Sequence, residues 1–310
     1  MNKQKAVIIG VGMVGSTAAF TLATSQVVDE IILIDRNSDL AWGQAADIND
    51  AMGIESGVRV RPGTYDDIET DDIVIITAGT SQQPGQTRLE LVEVNAGIMR
   101  GIVRDVMERS IEPFLVIVSN PVDVMTYVAL EESKLPKYRV FGTGTTLDTS
   151  RLKSHLADAM DVNSREVDCY ILGEHGDSSF STIETAQIGD IPLREYPGFE
   201  EHMIENIEQQ IRDRAYRIIE TKKSTYYGIG QVIAKVVAAL RRSSGSVFPV
   251  SSYIQGEYGL DGVVLGLPSV VNSNGVQILA GYQMTERQQA ALALSAEVVK
   301  SAIQHVSPED

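Results

Sequence analysis

The sequence predicts an α/β protein in which a doubly wound parallel sheet is followed by a second domain of mixed α+β type. Three observations lead to this prediction. Short β-branched runs alternate with helical patterns through the first half of the chain. Those runs are almost continuously apolar, as in strands that are covered on both faces. The pattern changes after about Gly142, where longer helices dominate.

The first half is predicted to alternate strands and helices. The strands are residues 6–9, 30–34, 58–61, 73–77, 114–119 and 139–141. The helices are residues 13–25, 39–52, 88–109 and 122–132. Because helices connect most of these strands, the strands are expected to run parallel in one sheet. Residues 1–142 are therefore assigned to the first domain.

The second half is predicted to contain longer helices and fewer strands. The helices are residues 147–160, 200–223, 228–242 and 285–305. The strands are residues 166–172 and 247–254. Residues 143–310 are assigned to a second domain. No Pro/Ser-rich linker marks the boundary, so the two domains are expected to share a tight interface.

The charge balance excludes several kinds of partner. The 310 residues include 26 Lys and Arg against 42 Asp and Glu, a formal net charge of −16. Such a surface repels nucleic acid and anionic lipid. No stretch reaches the roughly 18 uninterrupted apolar residues that span a bilayer, and the cytoplasm is the expected compartment. The single cysteine, Cys169, cannot pair within the chain and is expected to be a small buried side chain.

A glycine motif follows the first predicted strand and opens the first helix. In Gly10-x-Gly12-x-x-Gly15, one glycine makes the turn, one lets the backbone approach a pyrophosphate, and one lets helix and strand pack closely. The N-terminus of the helix offers free N–H groups and a positive dipole end to phosphates. This is the arrangement of a Rossmann-type dinucleotide site.

Asp35 supports the same interpretation. It lies 20 residues after the motif, at the end of the second strand, where a carboxylate binds the ribose hydroxyls of a dinucleotide. A carboxylate there repels a 2′-phosphate, so NAD is favoured over NADP. The neighbouring Arg36 is the one local feature that favours NADP. The sequence therefore predicts NAD as the cofactor, and it predicts no metal site.

Four further segments carry side chains that could bind a substrate or take part in catalysis. Residues 77–88 and 119–123 each follow a predicted strand, at the edge where doubly wound sheets bind their ligands. The first segment is rich in small residues and contains Gly and Pro, as in a mobile lid. Residues 142–151 and 173–178 complete the set.

Each candidate in these segments also has a structural interpretation. Asp148 and Arg151 have the i, i+3 spacing of a salt bridge on a helix surface. His175 is one of four histidines and could belong to the core or the surface. Arg88 could be a surface charge at a helix start, and Asn120 before a proline could begin a turn.

The combination is more specific than its parts, because the motifs stand in the order seen in one family. Six segments follow that order: the glycine motif, residues 78–88, Ser-Asn-Pro-Val-Asp at 119–123, Leu-Asp-Thr-Ser-Arg at 147–151, Gly-Glu-His-Gly-Asp at 173–177 and Ser-Thr-Tyr-Tyr-Gly-Ile at 224–229. Over nearly its whole length the chain resembles the L-lactate/malate dehydrogenase family, and within it the bacterial L-lactate dehydrogenases.

The resemblance implies roles for the substrate residues. His175 would accept a proton when lactate is oxidised and donate it when pyruvate is reduced. Asp148 would hold the imidazole and stabilise its charged form. Arg151 would grip the substrate carboxylate bidentately. Arg88, brought in by a closing loop, would polarise the reacting carbonyl. Thr225 would line the substrate pocket.

The resemblance also implies a set of cofactor contacts. Asn120 would contact both the substrate and the nicotinamide, and Ile229 would pack on the nicotinamide ring. The remaining cofactor-binding residues would be Gly10, Gly12, Val14, Gly15, Asp35, Tyr65, Gly79, Thr80, Val118 and Thr143.

The choice between lactate and malate is expected to depend on Gln82. By resemblance, malate dehydrogenases carry arginine at this position and lactate dehydrogenases carry glutamine. Residues 80–87 contain no cation at all. A desolvated, unpaired carboxylate costs at least several kcal/mol, so oxaloacetate should be rejected and L-lactate dehydrogenase activity is expected. The alternatives are a malate dehydrogenase or a dehydrogenase of bulkier L-2-hydroxy acids. A dinucleotide-binding protein without catalysis is disfavoured because His175, Arg88 and Arg151 are all present.

The resemblance implies a homotetramer and raises a question of regulation. Many bacterial L-lactate dehydrogenases are activated by fructose 1,6-bisphosphate at a subunit interface. The resemblance places an arginine and a histidine of that site at positions 153 and 168. This chain has Lys153 and Asp168 instead, so activation by the bisphosphate is not expected.

Overall fold

A computed structural model describes residues 4–55, 57–80 and 88–306, without the side chains of Glu55 and Arg88. Six parallel strands form one side of its main sheet. They are β1 (Lys5–Ile9), β2 (Glu30–Ile34), β3 (Arg59–Pro62), β4 (Ile73–Ile76), β5 (Phe114–Ile117) and β6 (Val140–Gly142). Their order is β6-β5-β4-β1-β2-β3, so the strand order reverses between β1 and β4. This confirms the predicted doubly wound sheet.

Eight α-helices are found in the described part of the chain. They are α1 (Met13–Ser25), α2 (Ser38–Glu55), α3 (Arg88–Met107), α4 (Val122–Ser133), α5 (Thr146–Met160), α6 (Ile207–Lys222), α7 (Tyr227–Leu240) and α8 (Glu286–Gln304). Alternate residues of each central strand enter cores on opposite faces of the sheet. Val7 and Ile9 pack with residues of α3, α4 and α8, whereas Ala6 and Ile8 pack with residues of α1, α2 and α7.

The remaining strands belong to the second half of the chain. They are β7 (Val167–Asp168), β8 (Ile171–Leu172), β9 (Phe180–Ser181), β10 (Gln187–Ile188), β11 (Ile191–Pro192), β12 (Ser246–Gln255), β13 (Asp261–Asn272) and β14 (Gly275–Ile278). β12 pairs antiparallel with β6, opposite Gly142, and β13 and β14 continue the sheet beyond it. One nine-stranded sheet therefore joins the two halves.

Three expectations for the second half need correction. The single strand predicted at 166–172 is two short strands, because β7 pairs with β10 whereas β8 pairs with β9. The helix predicted from residue 200 begins at Ile207, after a separate 3₁₀ turn at Glu201–Ile204. β13 and β14 were not predicted. Gly266 and Pro268 interrupt the apolar run of β13, as residues that usually weaken a strand.

A third core packs α5 and α6 around the short strands of the second half. It includes Leu152, Leu156 and Ile211, together with Cys169, which is 2% exposed. Burial raises the pKa of the Cys169 thiol to about 12, so the thiol stays protonated at neutral pH. The expectation of a small buried cysteine is confirmed.

Candidate active site

The glycine turn between β1 and α1 brings the backbone close to the carboxyl end of β4. Gly10 has φ +92°, and a Cβ there would lie 2.6 Å from the backbone nitrogen of Ala78. A Cβ on Gly15 would overlap the carbonyl oxygen of Gly10. Both positions therefore require glycine.

Gly12 lies at the open end of α1. It is the N-cap of the helix, and nothing lies within 4 Å of the place where its Cβ would be. The first N–H groups of an α-helix have no partner within the helix. The open backbone at Gly12 and the half-buried Val14 thus border a space that suits a pyrophosphate.

Asp35 is oriented by two backbone groups at the end of β2. Its Oδ2 accepts a hydrogen bond from the Val11 N–H at 2.9 Å, and its Oδ1 accepts one from the Asn37 N–H at 2.9 Å. These contacts fix the carboxylate beside the glycine turn, as a ribose-binding group requires. The turn, the helix end and the carboxylate together fit a dinucleotide.

The other residues expected to bind the cofactor follow different strands at the same edge of the sheet. Half-buried Tyr65 begins a 3₁₀ turn after β3. Gly79 and Thr80 follow β4, Val118 follows β5, and the buried Thr143 follows β6. Because carboxyl ends of parallel strands share one edge, the fold places all of these positions along it.

Asn95, which no sequence motif identified, joins the segment that follows β4 to the segment that follows β5. Asn95 lies on α3 and is 3% exposed. Its Oδ1 accepts from the Thr80 N–H at 2.9 Å, and its Nδ2 donates to the carbonyl oxygens of Thr80 (3.2 Å) and Asn120 (2.9 Å). One amide in a helix forms no motif, so only its partners identify its importance.

His175, Asp148 and Arg151 form one cluster. The His175 Nδ1 lies 2.6 Å from Asp148 Oδ2, and Arg151 Nη1 donates to Asp148 Oδ1 at 2.7 Å. The Asp148 and Arg151 side chains are only 15% and 11% exposed, so their i, i+3 pair is not a solvated surface bridge. The His175 side chain is 30% exposed, which leaves the ring accessible to a ligand.

The electrostatics of this cluster favour a charged imidazole. The Asp148 carboxylate raises the pKa of His175 to about 9, against a smaller lowering by burial. Burial would raise the pKa of Asp148, but His175 and Arg151 outweigh it and hold that pKa below its usual value. At neutral pH the pair is therefore an imidazolium beside a carboxylate.

Local folding explains why Asp148 meets His175. Asp148 lies in the first turn of α5, and the neighbouring Thr149 Oγ1 accepts from the Ile171 N–H at 2.8 Å. This bond ties α5 to β8, which leads directly to His175. Between them, Gly173 has φ +89° and pairs with Gly266 of β13 in an isolated bridge.

The turn that carries His175 is held by two further carboxylates. Glu174 Oε2 accepts from the Ser178 N–H at 3.2 Å and from the Ser178 Oγ–H at 2.5 Å, which closes the turn on itself. Asp123, at the start of α4, accepts from the His175 N–H at 2.7 Å. The sequence singled out residues 119–123 as a motif but gave Asp123 no role.

Of the four other expected substrate residues, two cannot be placed relative to this cluster because their side chains lie outside the described part of the structure, and the other two are not hydrogen-bonded to it. Gln82 lies outside the described residues, as does the side chain of Arg88, whose backbone begins α3. Thr225 lies between α6 and α7, and Asn120 is exposed after β5. The described hydrogen bonds and ion pairs connect neither Thr225 nor Asn120 directly to His175.

Ile229, expected against the nicotinamide, lies on α7. This helix packs on α1 so closely that a Cβ on Gly230 would lie 2.9 Å from Thr17 Cγ2. Half-buried Ile229 packs against the core on that face of the sheet. The described part of the chain contains no group of three or more His, Cys, Asp or Glu side chains that could hold a metal ion.

Comparison with known proteins places this site in a family. Residues 4–142 match the family described as lactate/malate dehydrogenase, NAD binding domain, and residues 145–309 match its alpha/beta C-terminal domain. The chain belongs to the lactate/malate dehydrogenase family. It is thus an NAD-dependent oxidoreductase, and the expected cofactor is confirmed.

Individual members of the family cover almost the whole chain. The L-lactate dehydrogenase of Lactococcus lactis subsp. cremoris is 42% identical, with 97% of this chain and 99% of that protein covered. The L-lactate dehydrogenase of Priestia megaterium is 38% identical, with 96% and 95% covered. The crystal structure of the minor L-lactate dehydrogenase from Enterococcus mundtii in its ligands-bound form covers all of both chains, with 40% identity and a TM-score of 0.96.

No helix in the described residues of this family member is both long enough and apolar enough to cross a membrane.

Proposed function

We propose that this chain is an L-lactate dehydrogenase, which interconverts pyruvate, NADH and a proton with L-lactate and NAD. The observation that carries the proposal is the His175–Asp148 pair, at 2.6 Å, in a protein whose dinucleotide fingerprint is complete. The names of the relatives in Lactococcus and Priestia support the same activity.

The Asp148 contact determines which nitrogen of His175 does the chemistry. With Nδ1 directed at Asp148, Nε2 is the atom left for the substrate. When bound, NADH would supply the hydride that reduces the carbonyl carbon of pyruvate. His175 Nε2 donates its proton to the carbonyl oxygen, which becomes the hydroxyl of lactate, and the imidazole is left neutral. In lactate oxidation the neutral imidazole takes that proton back.

Arginines would bind and polarise the substrate. An arginine has five N–H donors, and the bond to Asp148 occupies only part of the Arg151 guanidinium. The remaining donors can grip the substrate carboxylate, and the contact with Asp148 limits the rotamers of the guanidinium. Arg88 would stabilise the charge that develops on the carbonyl oxygen. The pocket would be completed by Asn120 from a proposed NAD domain of residues 1–142 and by Thr225 from a proposed second domain of residues 143–310.

The proposal is tested with a panel of 2-oxo acids. The oxidation of NADH is measured with pyruvate, oxaloacetate and 2-oxoisocaproate, and pyruvate should give the highest kcat/KM. His175→Asn should cut turnover by roughly 10²–10⁴ and leave NADH binding intact, the scale of lost acid–base catalysis. Preference for oxaloacetate or 2-oxoisocaproate would replace the proposal with malate dehydrogenase or with a dehydrogenase of bulkier acids.

The absence of charged side chains from residues 80–87 gives a separate prediction about specificity. Gln82→Arg should raise kcat/KM for oxaloacetate and lower it for pyruvate, because it supplies a cation for the second carboxylate. Gln83→Arg adds the same charge one residue away and serves as the matched control. If both variants shift specificity equally, net charge rather than position 82 discriminates between the substrates.

We also propose that the active form is a homotetramer in the cytoplasm, where it would regenerate NAD during fermentation. Large apolar side chains are exposed on the face formed by α1, α2 and α7, among them Phe20 (46%), Trp42 (65%) and Tyr227 (70%). Exposed apolar surface of this kind is typical of subunit interfaces. Light scattering after gel filtration would measure the mass.

A further inference from the structure

A lysine ammonium lies against two tyrosine rings where α6 ends and α7 begins. Lys222 is the last residue of α6, and its Nζ lies 3.4 Å from the centre of the Tyr226 ring and 4.1 Å from that of Tyr227. The two rings meet edge to face, with their centres 4.6 Å apart. A cation is attracted by the face of an aromatic ring. These three side chains form a group that we name the lysine clamp.

The lysine clamp closes a short connection that carries Thr225. α6 ends at Lys222, and Lys223 caps it with φ +73°. This left-handed conformation is strained for a residue other than glycine, so the surrounding structure must maintain it. Lys222 precedes the connection of residues 223–225, and both rings follow it. The lysine clamp therefore holds the two ends of the connection together.

The second half of α6 contributes no side chain to the buried core. The buried residues of α6 are Ile207 and Ile211, which both belong to its first half. Farther along, the Tyr216 hydroxyl donates to Asp177 at 2.9 Å, and Lys222 binds the rings at the end of the helix. A segment with little buried apolar surface opens easily. The position of this end of α6 therefore depends on such surface contacts.

The beginning of α7 is held more firmly. A Cβ on Gly228 would lie 2.8 Å from Leu147 Cδ1, so α7 packs closely on the residue before Asp148. From Gly230 onward, most residues of α7 are buried. The two tyrosine rings thus stand at the start of a fixed helix beside the site, and Lys222 couples the loosely held end of α6 to it.

We propose that Lys222 is a positioning residue for substrate selection, which binds the two tyrosine rings and so holds Thr225 in place at the wall of the substrate pocket. This proposal rests on the proposed dehydrogenase function. Lys222 would not touch the substrate. Without the lysine clamp, Thr225 would move away from the pocket, which weakens the binding of pyruvate and admits bulkier 2-oxo acids. The His175–Asp148 pair lies outside the clamp, so the proton transfer should continue.

The test uses three variants of the lysine clamp and one control. Lys222→Met keeps most of the length and the apolar stem but removes the charge. Lys222→Arg keeps a cation that also binds ring faces, and Tyr226→Phe keeps the ring without its hydroxyl. Lys223→Met is the matched control, because it removes the same charge one residue away from a side chain that is exposed and outside the clamp.

Two kinds of measurement are made on the parent and on each variant. Steady-state kinetics give kcat and KM for pyruvate and for 2-oxoisocaproate, together with the affinity for NADH. Hydrogen exchange of the backbone amides of residues 223–226 reports the order of the connection without any need for activity. Light scattering gives the mass, because Tyr227 is 70% exposed and also belongs to the face proposed as a subunit interface.

The proposal predicts a loss in Lys222→Met that the other variants do not share. An exposed cation–π contact changes an equilibrium by about two- to fivefold, and two rings lose their cation, so KM for pyruvate should rise about 3–10-fold. The kcat should stay within a factor of two. Pyruvate should lose at least about threefold in kcat/KM relative to 2-oxoisocaproate, and residues 223–226 should exchange faster. Lys222→Arg, Tyr226→Phe and Lys223→Met should resemble the parent.

Three results would overturn the proposal. The first is a Lys222→Met variant with the KM and the substrate ratio of the parent. The second is an equal change in Lys223→Met, which would show that net charge near an anionic substrate is the cause. The third is a raised KM that accompanies a lower mass, which would assign the effect to the subunit interface.

Failure of the proposed function is a separate result. If the parent reduces no 2-oxo acid, the chain is not the proposed dehydrogenase. The exchange of residues 223–226 in Lys222→Met would then still show whether the lysine clamp orders the connection, so the two failures are distinguishable.

Discussion

The His175 imidazolium ties activity to pH in a direction that the site determines. The carboxylate of Asp148 raises the pKa of His175 to about 9. Pyruvate reduction needs the protonated ring, so its kcat/KM at saturating NADH should be constant near neutral pH and fall above about pH 9. Lactate oxidation needs the neutral ring, and its kcat/KM should rise over the same range.

Asp148→Asn tests the cause of that pKa. With the charge removed, the fall in pyruvate reduction should move from about pH 9 toward the ordinary histidine value of about 6.5. Steady-state rates from pH 5.5 to 10 measure the shift, and NADH affinity controls for general damage. A fall that remains near pH 9 in this variant would show that another group titrates.

Asp35 determines the prediction about the cofactor. Both of its oxygens are held by backbone N–H groups, so the carboxylate cannot turn away from a 2′-phosphate. NADH should be preferred over NADPH by at least tenfold in kcat/KM, about 1.4 kcal/mol. Asp35→Ser should reduce this preference, and Arg36→Ala is the matched control. If the parent used NADH and NADPH with equal kcat/KM, the prediction would be wrong, and Arg36 would be the residue that offsets the repulsion of the 2′-phosphate by Asp35.

At the level of elements, the sequence predicted best where apolar runs are unbroken. Residues 30–34 were predicted as a strand and form β2. All five residues are buried, because the sheet is covered on both faces. β13 was missed because Gly266 interrupts it. The structure gives the reason for this glycine: a Cβ there would lie 2.6 Å from Thr145 Oγ1.

The site was predictable only where its residues are close together in the sequence. The spacing of Asp148 and Arg151 on one helix was visible in the sequence, but it also fitted a surface salt bridge. The structure brings His175 to Asp148 from 27 residues away through the bond between Thr149 and Ile171. Asn95 and Asp123 could not be assigned roles, because they act on backbone groups that no sequence pattern identifies.

Asn95 yields a prediction about the loops it joins. Asn95→Leu keeps the approximate volume but removes the bonds to Thr80 and Asn120. The carboxyl ends of β4 and β5 would lose their connection, and kcat/KM for pyruvate should fall by about 10–100-fold. Loss of buried partners should also lower the free energy of unfolding by about 1–3 kcal/mol.

A matched variant separates these two effects of Asn95→Leu. Asn49 on α2 also bridges a helix to backbone, accepting from the Val60 N–H at 3.0 Å and donating to the Val60 carbonyl at 2.5 Å. Asn49→Leu should destabilise the protein without changing the kinetics. If both variants lose stability but neither loses activity, Asn95 supports the fold and not the loops.

At the scale of the whole molecule, the two halves are coupled by shared structure. β12 continues the sheet from β6, and α7 packs on α1. The chain matches the Enterococcus mundtii enzyme with a TM-score of 0.96 in its ligands-bound form and 0.87 in its ligands-unbound form. The described conformation is therefore nearer to the ligands-bound form of that relative.

Regulation of the proposed tetramer gives the last prediction. Where the resemblance places an arginine and a histidine for fructose 1,6-bisphosphate, this chain has Lys153 and Asp168. Lys153 Nζ lies 5.6 Å from the centre of the Tyr170 ring, and Asp168 is exposed on β7. Lysine keeps a positive charge without the planar fork of arginine, whereas aspartate repels a phosphate. Two-fold symmetry would place this repulsion in both copies of the site.

The size of this repulsion makes activation by the bisphosphate unfavourable. A like-charge contact at 4 Å costs between about 1 kcal/mol in water and about 4 kcal/mol at an effective dielectric of 20. Millimolar fructose 1,6-bisphosphate should therefore leave the KM for pyruvate unchanged at pH 6 and pH 7.5. Asp168→His combined with Lys153→Arg should create sensitivity, and a lowered KM in the parent would show that other cations still bind the effector.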